Sequence, residues 1–284
     1  MKKITLFLSF SILATAWVCL LIWGPWALDG DRLETLTPGG GAAVNGFRTA
    51  VAAIGVGAAA LAGLYFTYHS HQLSRSTQYT DRFAKAIEML AAESEARQLG
   101  GIYALERIMK DSEYDRPAII ETLAGFVRIK SPAPDLEDRN SGYIDDRKCP
   151  VPESARAAFE VLARRSTNKH DPVINLERCD LRLIYCEDAN LEDANLAQSH
   201  LGQSHFPRAN MRNAYFMGTQ LQHTWLPEAD LRNAKFPEAE LSKCIFSDAI
   251  LDGANLSVAH GLDAESLSMA RSHDGAALPW DIDR

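Results

Sequence analysis

The side chains in this sequence that are most capable of chemistry are its five cysteines and eight histidines. Cysteine and histidine bind zinc where they recur at close spacing, but the sequence holds no CxxC pair. His69 and His71 lie two positions apart in a stretch with helical periodicity, so their side chains point to different sides of the helix. We therefore expect no metal site and no disulfide framework, and we interpret the cysteines as reduced thiols.

Motifs for the common enzyme chemistries are missing from the sequence as well. No GxxxxGK[ST], GxGxxG or GxSxG stretch occurs, so neither a phosphate-binding loop nor a nucleophile elbow is indicated. The formal net charge of −8 argues against a nucleic-acid-binding face, which would have to be basic. The sequence predicts a non-enzymatic protein with no catalytic residue, no cofactor and no direct contact with nucleic acid.

The strongest pattern is a repeat of five residues, which is plain in EDANLEDANL at 187–196. Steps of five from Leu176 to Leu256 meet a large apolar side chain every time except at Cys186, and the residue two positions earlier is mostly small. A helix would turn these apolar positions around its axis, and a flat strand would send alternate ones to opposite faces. The period instead fits a β-solenoid, in which five residues form one side of a coil and the central residue always points inward.

The stretches ANLED, ANLAQ, ADLRN and ANLSV resemble the pentapeptide-repeat family, whose consensus is Ala-(Asp/Asn)-Leu-X-X. The resemblance implies a right-handed, four-sided β-helix over 174–260, with four repeats in each coil. Residues twenty positions apart would then stack in columns, and the residue before each central position would face outward. Departures from the consensus at Ile174, Ile184 and Cys186 fall in the first coil, which we expect to pack under a capping helix at 153–165.

One outward column differs from the others, which are mostly polar. It consists of Tyr185, His205, Trp225 and Ile245 and contains the one tryptophan of the repeats. Tyrosine and tryptophan anchor many protein interfaces, so we interpret this column, the aromatic stripe, as a candidate surface for binding a partner. The alternative is that the stripe is covered from within the chain, by the helical region or by the linker at 131–152.

Two uncharged runs near the N-terminus, at about 4–28 and 49–68, are each long enough to cross a bilayer. Lysines precede the first run and basic residues follow the second, so the positive-inside rule places both termini in the cytoplasm and the short connecting loop outside. The segment 1–72 is therefore predicted to form two transmembrane helices.

Two alternatives concern these runs. The lysines at the start, the apolar core and the small residues Ala14-Thr15-Ala16 also resemble a cleavable secretory signal. On the second run, Gly55, Ala59 and Gly63 recur every four residues and form a face that lets another helix approach closely. We expect the first run to occupy this small-residue face, and the alternative is a second copy of the chain, which would make a homo-oligomer.

The rest of the chain is predicted to support the solenoid. Helical periodicity indicates an α-helical connector over 73–130. Gly100 and Gly101 inside it each cost about 1 kcal/mol relative to alanine, which suggests close packing against a neighbour there. The Pro- and Asp-rich stretch 131–152 is predicted to be a linker, and 261–284 a C-terminal cap and tail.

The whole arrangement resembles bacterial membrane proteins that carry two spans and a cytoplasmic pentapeptide-repeat domain. GGIYALERI at 100–108 and LAGFVR at 123–128 resemble the helical connector of that group. The resemblance implies a multi-pass protein of the bacterial inner membrane. Our main hypothesis is a membrane-anchored, non-enzymatic scaffold or regulator whose solenoid binds a cytoplasmic protein.

Two other functions are open. One is an oligomerising membrane effector that leaks ions, as in some bacterial defence systems; the small-residue face would permit it, although no ionisable residue inside the runs marks a pore. The other follows from the family resemblance, since some pentapeptide-repeat proteins mimic DNA and occupy type II topoisomerases. Basic residues interrupt the acidic columns here, and the repeat region is short for such a rod, so we disfavour this function.

Overall fold

The computed structural model describes residues 16–20, 22–24, 27, 38–134 and 151–280. Two compact units make up the chain, residues 1–78 and 79–284. The bounded helices are α1 (Pro38–Leu90), α2 (Glu95–Asp111), α3 (Arg116–Lys130), α4 (Glu153–Ala163) and α5 (Ala264–Ser268).

In the first unit, α1 contains the predicted second span. The stretch Asn45–Tyr68 is 24 residues long and, by length and composition, apolar enough to cross a membrane. Most of its apolar side chains are exposed, with Leu61 and Leu64 both at 69%, whereas Val51 is buried. Of the first predicted span, at 4–28, the structure describes residues 16–20, 22–24 and 27, all helical, and the remainder lies outside the described residues. The prediction of two transmembrane helices therefore stays a prediction.

The described part of the first run packs against α1 in the antiparallel direction. A Cβ added at Gly55 would lie 2.8 Å from Nε1 of Trp17, and one added at Gly24 would lie 2.8 Å from Cε1 of Phe47. The small-residue face is thus occupied at Gly55. Ala59 and Gly63 are exposed, and no described residue lies within 4 Å of a Cβ added at Gly63.

In the second unit, the connector residues from 79 onward form a small helical core. Helices α2, α3 and α4 all pack on one another. The largest side chains that these helices bury completely are Ile102, Leu105, Ile119, Ile120, Leu123, Phe159 and Leu162. The end of α1 joins this core through Ala86 and Leu90, which are buried. The predicted connector and the predicted capping helix therefore form one helical layer at the start of the solenoid.

Close packing at the paired glycines of α2 is present as expected. A Cβ added at Gly101 would lie 2.8 Å from the carbonyl oxygen of Ala86 and 3.0 Å from the backbone nitrogen of Leu90, so α1 crosses α2 with backbone against backbone. At Gly100 an added Cβ would meet only the terminal methyl of Met89, the flexible end of a side chain. The glycine at 101 is required by the contact, and the glycine at 100 is not.

The solenoid is held by hydrogen bonds between residues about twenty positions apart. Parallel bridges join Asn175 to Asn195, Asn195 to Tyr215, and so on to Glu240 and His260. The backbone nitrogen of Leu196 donates to Tyr215 (2.9 Å), whose own nitrogen donates to Ala194 (2.9 Å). These pairs establish four repeats per coil. Each bridge is isolated, because each side of the coil offers one paired residue before the next corner. The right-handedness of the coil remains an implication of the family resemblance.

Every corner of the coil is a tight turn with one residue in the left-handed region. The carbonyl of Leu191 accepts from the nitrogen of Ala194 (3.1 Å), three residues on. The residue between them, Asp193, has φ 58°, and the equivalent position of the repeats from Arg178 to Gly253 has positive φ throughout. Positive φ at the third residue is the feature of a type II turn. This requirement explains why polar residues and glycine dominate the fifth position of the repeat.

The solenoid interior consists of the central residues and the small residues two positions before them, which are all buried. In two adjacent columns the small residue is Ser or Thr and its hydroxyl donates to a carbonyl of the preceding coil: Ser199 to Leu176 (2.5 Å), Ser204 to Leu181 (2.6 Å), Thr219 to Leu196 (2.8 Å) and Thr224 to Leu201 (2.9 Å). These buried hydroxyls are satisfied, so the interior carries them without the cost of unpaired polar groups.

Helix α4 packs against the first coils of the solenoid. The ring of Phe159 lies 6.1 Å from that of Phe206 in an edge-to-face arrangement, and the nitrogen of Asn190 donates to the carbonyl of Ala163 (2.7 Å). Cys186 occupies the central position one coil before Phe206. A smaller side chain there is consistent with a phenylalanine from the helix reaching the second coil.

The linker predicted at 131–152 needs a correction at its beginning. Pro132 pairs with Cys179 in an antiparallel bridge, and the hydroxyl of Ser131 donates to the carbonyl of Asp180 (2.6 Å). Residues 131–133 thus cover an open edge of the first coil, which would otherwise expose unpaired backbone groups. Residues 135–150 of the predicted linker lie outside the described residues.

The solenoid also continues beyond its predicted end at 260. Helix α5 lies within the segment 261–284, and Asp263 at its start accepts from the nitrogen of Ser266 (2.6 Å). After it, Ser272 and Ala277 bridge in parallel to Ile250 and Asn255. The offset is 22 residues instead of 20, because α5 replaces one corner with a longer connection. The regular five-residue step therefore fails to reveal this last part of a coil.

A buried charge cluster ties α3 to the entry of the solenoid. Nη2 of Arg116 donates to Oδ2 of Asp171 (2.8 Å), and Nε of Arg165 lies 3.7 Å from the same oxygen. The three side chains are 8%, 7% and 4% exposed for Arg116, Asp171 and Arg165. Burial alone would raise the pKa of Asp171, but hydrogen bonds and charge from Arg116 outweigh it, and the pKa is lowered overall.

We predict that Gly101→Ala lowers the free energy of unfolding by about 1–3 kcal/mol, because its methyl group must displace the backbone of α1. Gly100→Ala is the matched control, expected to be neutral or to stabilise by up to about 1 kcal/mol through helix propensity. Thermal unfolding followed by circular dichroism measures both. Equal effects at the two positions would contradict the backbone contact at Gly101.

We predict that Asp171→Asn destabilises the protein by about 3–5 kcal/mol at neutral pH, since it leaves two buried guanidinium groups without a carboxylate. Because the pKa of Asp171 is lowered by folding, its contribution is present above the unfolded value, near pH 4, and is lost as the pH falls through the folded value. The difference in melting temperature between wild type and Asp171→Asn should accordingly shrink below about pH 4. A difference independent of pH in that range would contradict this assignment.

Candidate protein-binding surface

The predicted aromatic stripe forms a continuous ladder on one outer face of the solenoid. Tyr185, His205, Trp225 and Ile245 are joined in that order by parallel bridges. The rings of His205 and Trp225 are stacked with centroids 4.7 Å apart and planes 3° from parallel. The ring of Tyr185 lies 6.3 Å from that of His205 and is tilted by 52°. The twenty-residue register therefore brings the four predicted residues together as expected.

Within the described part of the chain, the aromatic stripe is exposed to solvent. Tyr185 is 59% exposed and Trp225 47%, while His205 and Ile245 are half-buried by their neighbours in the column. No described part of the helical layer covers the two exposed rings. The alternative that the linker covers the stripe concerns residues 135–150, which lie outside the described residues. A binding role for the stripe therefore remains a prediction.

The residues of this column lack a side-chain hydrogen bond that caps the corner in other repeats. In seven of the seventeen repeats the residue before the central position is Asn or Asp, and its side chain accepts a hydrogen bond from the backbone two residues later. Asn195 accepts from Ala197 (3.1 Å) and Asp230 from Arg232 (3.2 Å). This Asx-type bond caps the corner of the coil. Tyrosine, tryptophan and isoleucine have no acceptor of this kind.

Two prolines compensate for the missing caps. Pro207 and Pro227 stand two residues after His205 and Trp225, at the position whose N–H the cap would satisfy. Proline has no N–H and favours this second position of a type I or II turn. The same exchange occurs at Lys235 and Pro237. The ring ladder is therefore compatible with the turn, although turn stability alone would favour Asn or Asp in this column.

Charged groups flank the stripe at the corner that follows it. Arg208 pairs with Asp188 (Nε to Oδ1, 2.9 Å) and also donates to Glu187. These bonds raise the pKa of Arg208 and lower that of Asp188, so both stay charged at neutral pH. Glu228, three residues after Trp225, has no ion-pair partner among the described residues. Sequence analysis missed this set, although the same twenty-residue step from Asp188 would have found it.

The other chemically capable residues do not form a reaction centre in the described part of the chain. Burial raises the pKa of Cys186 to about 11 and those of Cys179 and Cys244 to about 12, so these thiols are protonated and unreactive at neutral pH. The described residues hold no cluster of three metal-ligating side chains. The absence of metal, cofactor and enzyme activity stays a prediction.

Two concavities in the second unit are also lined by residues without a nucleophile–base pair. A polar cleft of about 320 Å³ lies beside Arg165 and Asp171 and carries charges of both signs. A shallow apolar groove of about 500 Å³ runs between the end of α1 and α3, with Leu90 and Phe126 in its wall. Neither brings together the residues that sequence analysis singled out.

Comparison with known proteins finds a family model that matches the repeats. The family described as Pentapeptide repeats matches residues 189–224 and 226–259, with eight copies. A search of curated proteins found no significant match.

Solved structures show similarity to the repeat region. A pentapeptide-repeat protein from the thylakoid lumen of Arabidopsis thaliana is 28% identical, with TM-score 0.27, over 34% of this chain and 59% of that one. HetL of Nostoc sp. strain PCC 7120, involved in heterocyst differentiation regulation, is 31% identical, with TM-score 0.12, over 28% and 38%. QnrB1, a plasmid-mediated fluoroquinolone resistance protein, is 12% identical, with TM-score 0.18, over 37% and 60%. In each case the match spans less than two thirds of the other chain.

We predict that Trp225→Ala changes the free energy of unfolding by less than about 1 kcal/mol, because the ring lies at the surface and contributes no core packing. Phe216→Ala is the buried counterpart. Phe216 is 1% exposed and stacks on Phe236 at 4.7 Å, so its truncation should cost about 3–5 kcal/mol. Chemical denaturation of both variants measures the difference. A loss at Trp225 as large as that at Phe216 would mean that the ladder is structural packing.

Proposed function

The C-terminal solenoid is built of pentapeptide repeats, and from this premise we propose that the chain is a membrane-anchored, non-enzymatic interaction protein. In this function the N-terminal apolar helices fix the protein in the bacterial inner membrane with both termini in the cytoplasm. The solenoid presents its aromatic stripe to a cytoplasmic partner protein. The protein acts as a scaffold or regulator by holding that partner at the membrane.

The observation that carries the proposal is the exposed ring ladder. Tyr185 and Trp225 are large apolar side chains left in solvent on a face whose turns would be better capped by Asn or Asp. Exposed aromatic groups of this kind are typical anchors of protein interfaces. The ladder is also rigid, since His205 and Trp225 sit on backbone bonded to both neighbouring coils and Tyr185 on backbone bonded to the second coil, so little conformational freedom is lost on binding.

Membrane anchoring is supported by the exposure of the apolar stretch Asn45–Tyr68. Most of its large apolar side chains are exposed, with Leu64 and Phe66 at 69% and 60%, whereas Phe47 lies against Gly24 of the first run. Such a surface is costly in water and is matched by lipid. The basic residues Arg75, Arg82 and Lys85 follow it in sequence, which favours a cytoplasmic C-terminal domain.

The two other functions have weaker support. An oligomerising effector would need the face of Gly55, Ala59 and Gly63 to receive a second copy, but Trp17 already lies against Gly55. Mimicry of DNA would need an unbroken acidic surface. Instead, Arg182 pairs with Asp180, and Arg208 with Glu187 and Asp188, so the acidic groups are partly neutralised in place.

The experiment that tests the proposal places a photoreactive benzoylphenylalanine at Trp225 in the full chain and irradiates intact cells. Lys235 is the matched control position, because it is also the outward residue of a repeat and is also followed two positions later by proline. We expect a discrete cross-linked protein from position 225 alone, in membranes that retain the chain after an alkaline wash. Identical adducts from both positions, or release of the chain by alkali, would contradict the proposal.

A further inference from the structure

The chemistry of the partner can be narrowed from the charges beside the ring ladder. In the three coils that carry Tyr185, His205 and Trp225, the flanking corner holds the carboxylates Glu187, Asp188 and Glu228. Among the described residues, the cation of these coils at that corner is Arg208, and it is held by Glu187 and Asp188. Among the described residues, the carboxylate of Glu228, three positions after the exposed tryptophan, thus has no ion-pair partner.

This charge pattern disfavours several occupants of the stripe. Nucleic acid and anionic lipid both carry phosphate, which the unpaired carboxylate of Glu228 would repel. A purely apolar partner would bury Glu228 without a partner, and burial of an unpaired charge is costly. The occupant must therefore supply a cation at Glu228 as well as apolar contact at the rings.

The geometry of the rings narrows the choice further. One face of the Trp225 ring is covered by His205, and Ile245 follows it in the column. What remains is an exposed apolar strip about 10 Å long over the three ring-bearing coils, at roughly 4.8 Å per coil. An extended peptide of about three or four residues spans that length. A side chain with a long apolar stem and a cationic head can lie along the strip and still reach Glu228.

We propose that the aromatic stripe, together with Glu228, binds a short extended segment of the partner protein that carries arginine. Arginine fits better than lysine, because its planar guanidinium both packs on aromatic groups and pairs with a carboxylate through two parallel hydrogen bonds. This inference rests on the proposed function, since it names the chemistry of the partner at the same surface.

The test uses the full chain in nonionic detergent micelles and three fluorescein-labelled probes, which are short Arg-Pro, Lys-Pro and Glu-Pro repeat peptides. Fluorescence anisotropy measures the dissociation constant of each. We expect the arginine peptide to bind most tightly, the lysine peptide more weakly and the glutamate peptide not at all. Trp225→Ala and Glu228→Gln should each weaken binding of the arginine peptide by at least about tenfold.

The matched control is Glu238→Gln. Glu238 follows Pro237 at the same turn position as Glu228 follows Pro227, with φ 57° against 55°, but the outward residue of its repeat is Lys235 instead of a ring. We expect this variant to bind the arginine peptide like wild type. Equal losses at Glu228 and Glu238 would overturn the inference, because the peptide would then be sensing overall charge.

Failure of the inference can be told apart from failure of the proposed function. No binding of the arginine peptide at millimolar concentration overturns the inference, and a cross-link from position 225 in cells would then leave the interaction function standing with a different partner chemistry. Sedimentation that shows wild type associating with itself, and Trp225→Ala not doing so, also overturns it by making a second copy the occupant. Loss of both the cross-link and peptide binding would contradict the proposed function and the inference together.

Discussion

The structure of the C-terminal unit depends on one constraint, the hydrogen bonding of each coil to the next at an offset of twenty residues. The nitrogen of Leu196 bonds to Tyr215 and that of Tyr215 to Ala194, and the same pair of bonds recurs around every coil. Once this register is set, side chains twenty residues apart are neighbours whatever their type. The packing of the interior, the buried hydroxyl hydrogen bonds and the ring ladder all follow from this register.

The register separates the requirements of the interior from those of the surface. Inside, a central Leu or Phe and a small residue two positions earlier must fill the coil, and Ser199 or Thr219 is admitted only because a carbonyl of the preceding coil accepts its hydroxyl. On the outer surface, the residue before the central one must satisfy the backbone N–H that lies two residues later at the corner. Asn195 does so with its side chain, and the Trp225 repeat does so by having proline at position 227, which leaves no N–H to satisfy. The outer column can therefore take rings without disturbing the core.

Much of this could be predicted from the sequence, because period and residue size are local properties. The five-residue step from Leu176 to Leu256 indicates the solenoid, and a step of twenty collects Tyr185, His205, Trp225 and Ile245. The continuation after α5 could not be predicted, since a two-residue longer offset breaks the step on which the reasoning depends. The pairing of Pro132 with Cys179 was missed for a related reason: an edge contact between distant segments leaves no periodic signal. The pairing of Arg208 was missed because the prediction used the outward apolar column and not the charged positions at the neighbouring corner.

The separation of interior and surface also bears on what the stripe can do. A solenoid is stabilised by contacts between neighbouring coils, so a surface column contributes little to the whole and is free to be specialised. Loops that bind partners must be ordered at the moment of binding, whereas here the rings of His205 and Trp225 already stand 4.7 Å apart on a fixed backbone. Rigid spacing of this kind favours an extended partner segment, since such a segment can match the rise of the coils over several residues. A small contact area would keep the affinity of such a segment modest.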